Sequence, residues 1–287
     1  LAKLMNDNEH VKTWTQAAEK VARNFERDYC NKTDIIIYDH LNTDGTPDVQ
    51  FRPNQLFCFD LIADDTFKQK VTRKCWEELV YPWGVASLSQ KDPQFHPQHE
   101  NWHYYHKDDA YHNGTVWLWN NGIAMQRMIE YGQKEMAWQL FKNMNRQALV
   151  EGAVGSLSEN ADAHPREGKS RAGLSGTFLQ AWSNSEQLRV WYQHFLGIRP
   201  DMMNKTIYVE PRLPEEITDL ETSMMVGNGK VCISYHDGEF ACRLDNLPGV
   251  RLVVKMESAS KIERDKTNPI FRNIDFCRPQ PLDHYPC

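Results

Sequence analysis

Residues 115–131 (TVWLWNNGIAMQRMIEY) place apolar side chains on nearly all sides of a helix: Val116, Trp117, Trp119, Ile123, Met125, Met128 and Ile129 leave no wide polar face. A helix of that kind has to lie inside an assembly of other helices. Partners for it are legible on both sides. Val11, Trp14, Ala18, Val21 and Phe25 form a stripe over 10–29 with Asp7 placed as a cap, and 66–79 brings Phe67, Val71 and Cys75 onto one face. A further helix, 133–149, follows the buried one. Over 177–196, Phe178, Ala181, Leu188, Tyr192 and Phe195 make one stripe and Leu179, Trp182 and Glu186 its neighbour, until Gly197 and Pro200 stop the pattern. With 287 residues, 40% of them hydrophobic, the chain can enclose such a core.

The segments between these helices are of two kinds. IIIYDH (35–40) reads as a short strand with NTDGTP (42–47) as its turn, leading into another helix over 51–60. Residues 81–113, rich in Pro, Gly, Gln and His, read as one long irregular excursion, and loops of that length are usually functional. After the last helix the period changes to two. Residues 206–211, 230–244 and 251–256 alternate apolar and polar around the hairpin signal Asp237-Gly238, so an antiparallel β segment is expected, with an irregular tail from about 267.

Several function classes are disfavoured at once. A net charge of −6 argues against a nucleic-acid binder, and no stretch of eighteen apolar residues offers a membrane span. Seven scattered cysteines without a CxxC read as reduced, mostly buried thiols of a cytoplasmic protein; the chain opens on Leu1, so its targeting is not readable. There is no phosphate-cradling glycine loop, no GxSxG and no HExxH, so no cofactor and no Ser or Cys nucleophile is expected. His96, His99, His103 and His106 would converge on a metal only from an ordered helix, which Pro93 and Pro97 oppose. Carboxylate chemistry on a neutral, hydroxyl-rich ligand remains.

Glu159, in a Ser/Asn/Asp-rich loop ahead of the 177–196 helix, stands near Gln180 and Trp182. An aromatic plate stacks on a sugar's apolar face, an amide grips two hydroxyls, and a carboxylate takes a proton from water. The plainer reading is a surface acid before an ordinary amphipathic helix. Arg52, Asn54 and Gln55, with Asp48 just before, are suited to holding hydroxyls but equally to capping a helix. DDAYHNGTVWLW (108–119) sets Asp108, Tyr111, His112, Asn113, Trp117 and Trp119 at the mouth of the most buried helix, where they line either a cleft or plain core.

Three blocks in order, RPNQLF (52–57), AYHNGTVWLW (110–119) and SLSENADA through LQAWSNSEQLR (156–189), closely resemble the C-terminal amylo-α-1,6-glucosidase domain of glycogen debranching enzymes. The resemblance implies a mainly α fold, the second half of an (α/α)6 toroid over 1–203, followed by a small antiparallel β segment over 204–287. It also implies an inverting glycoside hydrolase acting on α-1,6, or α-1,4, bonds of a branched α-glucan. The family's Leu-Pro-Glu motif falls on Leu157, Ser158 and Glu159, making Glu159 the general base; its next acid matches Asp162, and its Gln-Ala-Trp-Ser matches 180–183. Ser158 for the usual proline and Leu118 within the usual Trp-Pro-Trp put linkage preference in doubt. No segment matches the upstream Trp-Met-Asp type block that holds the family's general acid. The resemblance therefore implies that the missing N-terminal half, or another chain, completes the domain; an acid within this chain would fall to Asp48 or Asp108. A non-catalytic glycan-binding toroid and a toroid glycosidase for another sugar are the alternatives.

Overall fold

The computed structural model describes residues 1–256, so the expected tail from about 267, with Cys277 and Cys287, lies outside the described residues. The described residues divide into two compact units, one of 1–80 with 86–115, the other of 81–85 with 116–256.

In the first unit, helix α1 (Asn8–Tyr29) starts where expected because the Asp7 carboxylate accepts from the His10 amide at 3.1 Å. None of its residues is buried. Two short strands, β1 (Cys30–Asn31) and β2 (Ile36–Ile37), pair antiparallel after it, and the turn beyond is closed by a Leu41–Pro47 bridge. The segment Pro53–Leu61 is a 3-10 helix rather than α. Its buried residues Pro53, Leu56 and Phe59 recur every third position, the period of that tighter helix, and Pro53 opens it without needing an N–H. Helix α2 (Asp65–Leu79), capped by Asp64, buries Phe67, Val71 and Cys75 as their spacing predicts, and Trp76 and Leu79 besides. Beyond it the unit is largely irregular up to the single helical turn α3 (Lys107–Tyr111).

Strands β3 (Val80–Tyr81) and β4 (Gly84–Val85) pair with each other where the chain passes from one unit to the next. In the second unit, Val116–Trp117 is not helical: it forms strand β5, paired with β6 (Asn160–Ala161), which pairs in turn with β7 (Leu174–Ser175). The β-branched and aromatic residues before Asn120 take the extended form that this pairing rewards. Helix α4 (Asn120–Glu130) follows and is buried on nearly every side, as its composition requires. Helix α5 (Lys134–Arg146) returns after a three-residue turn, placing Met144 against Asn121.

Helix α6 (Ala181–Val190) begins four residues later than its stripe suggests, because 177–180 are held out of the helix by bonds to an earlier loop. The Glu159 amide donates to the Thr177 carbonyl at 2.8 Å and the Gln180 amide to the Leu157 carbonyl at 3.0 Å. The expected apolar stripe is not its buried face. Phe178 is 54% and Leu188 59% exposed, while Ser183, Gln187 and Val190 are buried.

Three contacts fix the direction of these helices. Trp119 stacks on Trp182, Gly122 meets Glu186, and Arg189 donates to Gln126, so α4 and α6 run parallel with their N-termini at one end. Helix α5 is antiparallel to both, since Gln187 reaches Phe141 and Asn145 while Phe195 packs on Trp138. Two parallel helices with an antiparallel one packed against them make a repeating helical hairpin.

The remaining strands are β8 (Ile198–Asp201), β9 (Thr206–Val209), β10 (Asp219–Val226), β11 (Gly229–His236), β12 (Glu239–Asp245) and β13 (Arg251–Val254). The sheet β10-β11-β12 is antiparallel, and Asp237 and Gly238 turn its second hairpin with positive φ at both, as that dipeptide predicts. The other sheet corrects the expectation of a purely antiparallel segment, because β13 pairs parallel to β9. Strands β8 and β10 were not legible as strands. Leu196, Ile198, Ile207, Val209, Val226, Val231 and Ile233 form the core shared by these strands.

Candidate active site

Glu159 sits on a loop sewn between two others. Its carbonyl accepts from the Leu118 amide at 3.1 Å, and the neighbouring Leu157 amide donates to the Asn184 side chain at 2.9 Å. The Glu159 carboxylate is half-buried, and its Oε2 accepts from the Thr177 amide at 3.1 Å, a charge-assisted bond that fixes its direction. Gly176 makes this approach possible. Its φ is +70°, and a Cβ there would lie 2.7 Å from Glu159 Oε2 and 2.7 Å from Asn160 Oδ1.

The backbone of the same loop is tied to the residues just before α4 and α6, through Leu118 and Gln180, and the N-terminal ends of those two helices converge. Trp119 and Trp182 stack there with centroids 5.9 Å apart and planes 27° from parallel, and Trp182 is 50% exposed. Trp117 lies opposite Asn160 in the small sheet, and Gln180 is the residue before α6. The second unit therefore gathers Glu159, Trp117, Trp119, Gln180 and Trp182. Asp162 is buried nearby, yet its Oδ2 accepts from Arg166 Nε at 3.1 Å.

Three residues that were assigned no role from the sequence stand at the same end. Among the described residues, both amide atoms of Asn160, the Ser183 hydroxyl and the Asn120 Oδ1 are buried without a hydrogen-bond partner. Each such group costs about 1–3 kcal/mol when left unpaired, so an apolar residue would be cheaper at every one of these places. Nothing in the pattern of the sequence marks them, because a buried amide and an exposed one are spelled alike.

The remaining candidates form a separate group in the first unit, centred on Arg52. Its guanidinium donates to the carbonyls of Ser87 and His112, to Gln50 Oε1 at 2.6 Å and to Asn113 Oδ1 at 2.9 Å. Gln55 is buried with its amide spent on the backbone of Ile37 and Arg52. Asn54 donates to Asp39 at 2.7 Å, and Asp48 accepts from the Gln50 amide and faces His40 at 3.4 Å. Tyr111 stacks on His99 and meets His112 edge-on, while Asp108 is exposed and pairs with His106.

The four histidines of the excursion pack on rings: His96 on Tyr105, His99 on Tyr111, His103 on Tyr104 and His106 on Trp102. The group of ligand type that does come together in this unit is Asp39, His40 and Asp48, with ligand atoms within 4.8 Å of one another and two of the three residues exposed.

Residues 1–189 match the family model described as amylo-alpha-1,6-glucosidase. No curated protein sequence matches the chain. Among solved structures, a GH78 family rhamnosidase of Bacillus sp. GL1 is similar over 90% of this chain and 24% of its own, at 13% identity and a TM-score of 0.58. The neutral trehalase Nth1 from Saccharomyces cerevisiae is similar over 67% of this chain and 35% of its own, at 14% identity and a TM-score of 0.44. The likeness to the rhamnosidase is one of fold, helices with small sheets. The chain spans about a quarter of that rhamnosidase's length.

Proposed function

This chain belongs to the amylo-alpha-1,6-glucosidase family, and from that premise we propose that it carries the general base, Glu159, of an inverting glycosidase acting on α-1,6, or α-1,4, glucosidic bonds of a branched glucan. Glu159 takes a proton from a water molecule, and the water oxygen attacks the anomeric carbon as the glycosidic C–O bond breaks. A second carboxyl, roughly 6.5–9.5 Å from the first in inverting enzymes, gives its proton to the leaving oxygen. By the family pattern that acid stands on a segment beyond this chain, and the toroid is completed there as well.

The observation that carries the reading is the carboxylate of Glu159, held by the Thr177 amide on a loop bonded to the residues that precede the stacked pair Trp119 and Trp182. A plate of indole next to a directed carboxylate suits a pyranose whose apolar face stacks while its anomeric carbon meets the activated water. Gln180 is assigned to hydroxyls. Glucose release from a branched dextrin tests the role. In the protein with its completing segment, Glu159→Gln is expected to lower turnover about a hundredfold or more. Near-normal turnover of that variant would remove Glu159 from the mechanism.

A further inference from the structure

Asn160 has a part that the reaction above does not give it. It follows Glu159 in the chain, is fully buried, and has no partner for either amide atom among the described residues. Its backbone is well served: the carbonyl accepts from the Ser158 hydroxyl at 2.9 Å, and the residue is paired with Trp117 on one side and Ser175 on the other. The fold thus needs the strand at this position and makes no use of the amide. Its neighbour Ala161, in the same strand and equally buried, is apolar.

What separates Asn160 from Glu159 is a thin wall. Asn160 Oδ1 and Glu159 Oε2 each lie 2.7 Å from the point where a Cβ of Gly176 would be, so they are at most twice that distance apart. Gly176 lies against both, and 176–179 are exposed residues. A small displacement of 174–177 would bring the amide to the face on which the carboxylate stands. A primary amide offers one acceptor and two donors side by side, which fits vicinal hydroxyls of a pyranose.

We propose that Asn160 is a substrate-binding residue, its amide paired by two adjacent hydroxyls of the sugar held against Glu159, with the Gly176 wall yielding as the sugar enters. This rests on the reading of the site as a glucoside-cleaving one and adds to it the residue that grips the sugar.

The test is Asn160→Leu in the completed protein, with thermal unfolding, calorimetric binding of a branched malto-oligosaccharide, and kcat/KM measured together. An amide kept for the ligand predicts that the variant melts higher, by about 3 °C, while affinity and kcat/KM fall at least tenfold. A lower melting point would overturn the proposal, since it would mean that the amide already has a partner in the folded protein. Unchanged affinity would overturn it equally. Asn160→Ala guards against crowding by the leucine, and failure of both variants to fold counts as a structural role. Glu159→Gln, which retains the amide, separates the two ideas: if that variant turns over normally while Asn160→Leu loses binding, the base assignment fails and the Asn160 assignment stands. Absence of oligosaccharide binding by the unaltered protein would sink both.

Discussion

The two units treat their polar side chains in opposite ways. In the first, the RPNQ block spends nearly everything it has on the protein itself: Arg52 ties Gln50, Ser87, His112 and Asn113 together, and Gln55 holds the backbone of Ile37 and Arg52. In the second, Asn160, Ser183 and Asn120 are buried with polar atoms that the fold does not satisfy. Polar side chains of the two kinds look alike in sequence. Only the hydrogen-bond account distinguishes a brace from a group kept for something else.

Acid should set the units apart most strongly. His164 and His194 belong to the second unit, and burial pushes the imidazole of His164 down to about 4 and that of His194 to about 3, the latter helped by Arg189 and other nearby guanidiniums. Both are depressed from an ordinary 6.5, so below that pH the unfolded chain takes up protons that the folded chain refuses. Stability is then full above pH 6.5 and falls toward pH 4, by about 1.4 kcal/mol per pH unit for each histidine. Melting points measured from pH 7 to 4.5 should drop steeply. His164→Phe should remove about half of that slope, and an unchanged slope would show that the histidine is already charged in the fold.

Arg52→Lys is the next largest effect. A lysine cannot reproduce the planar fork that serves four acceptors, so about 2–4 kcal/mol of stability should go, read as a melting point lower by roughly 5–10 °C. If Arg52 is a brace, substrate affinity of the surviving folded protein stays within about twofold. A lysine variant that melts normally but binds sugar poorly would reverse the comparison, making the first unit the reserved one.

How far the sequence reaches follows from the same contrast. The α1 cap at Asp7, the buried α4 and the Asp237-Gly238 hairpin are local or compositional, and each is readable from a few neighbouring residues. The late start of α6 is not, since 177–180 are drawn out by bonds to Leu157 and Glu159, about twenty residues earlier. The parallel pairing of β13 with β9 depends likewise on a distant partner. At the site, Glu159 and the two stacked tryptophans were legible as chemistry, and family resemblance gave them their roles. The orphaned amide of Asn160 was invisible, because burial without a partner is a property of the folded chain alone.

Gly176→Ala probes the wall on the reserved side. The methyl would sit 2.7 Å from the Glu159 carboxylate, on a backbone at φ +70° that costs an L-residue about 1–2 kcal/mol. Turnover should fall about tenfold or more from displacement of the base, a drop well beyond what about 2–6 °C of lost melting temperature explains at the assay temperature. A variant that loses melting temperature but not turnover would show that the carboxylate tolerates the shift, and that its tie to the Thr177 amide does not position it.

The smallest effect concerns the plate. Trp182 is half exposed at the start of α6 and touches Trp119 across the parallel helices, so the fold gains little from it: Trp182→Ala should move the melting point by no more than about 2 °C. A sugar face that stacks on it would lose about 0.5–1.5 kcal/mol, seen as KM raised roughly two- to tenfold with kcat little changed. That split matters because uniform stacking holds ground state and transition state alike, whereas a tryptophan that shaped the base's surroundings would lower kcat instead. A fall in kcat at constant KM would therefore move Trp182 from the sugar's resting place into the chemistry of Glu159, and a large fall in melting point would return both tryptophans to the core.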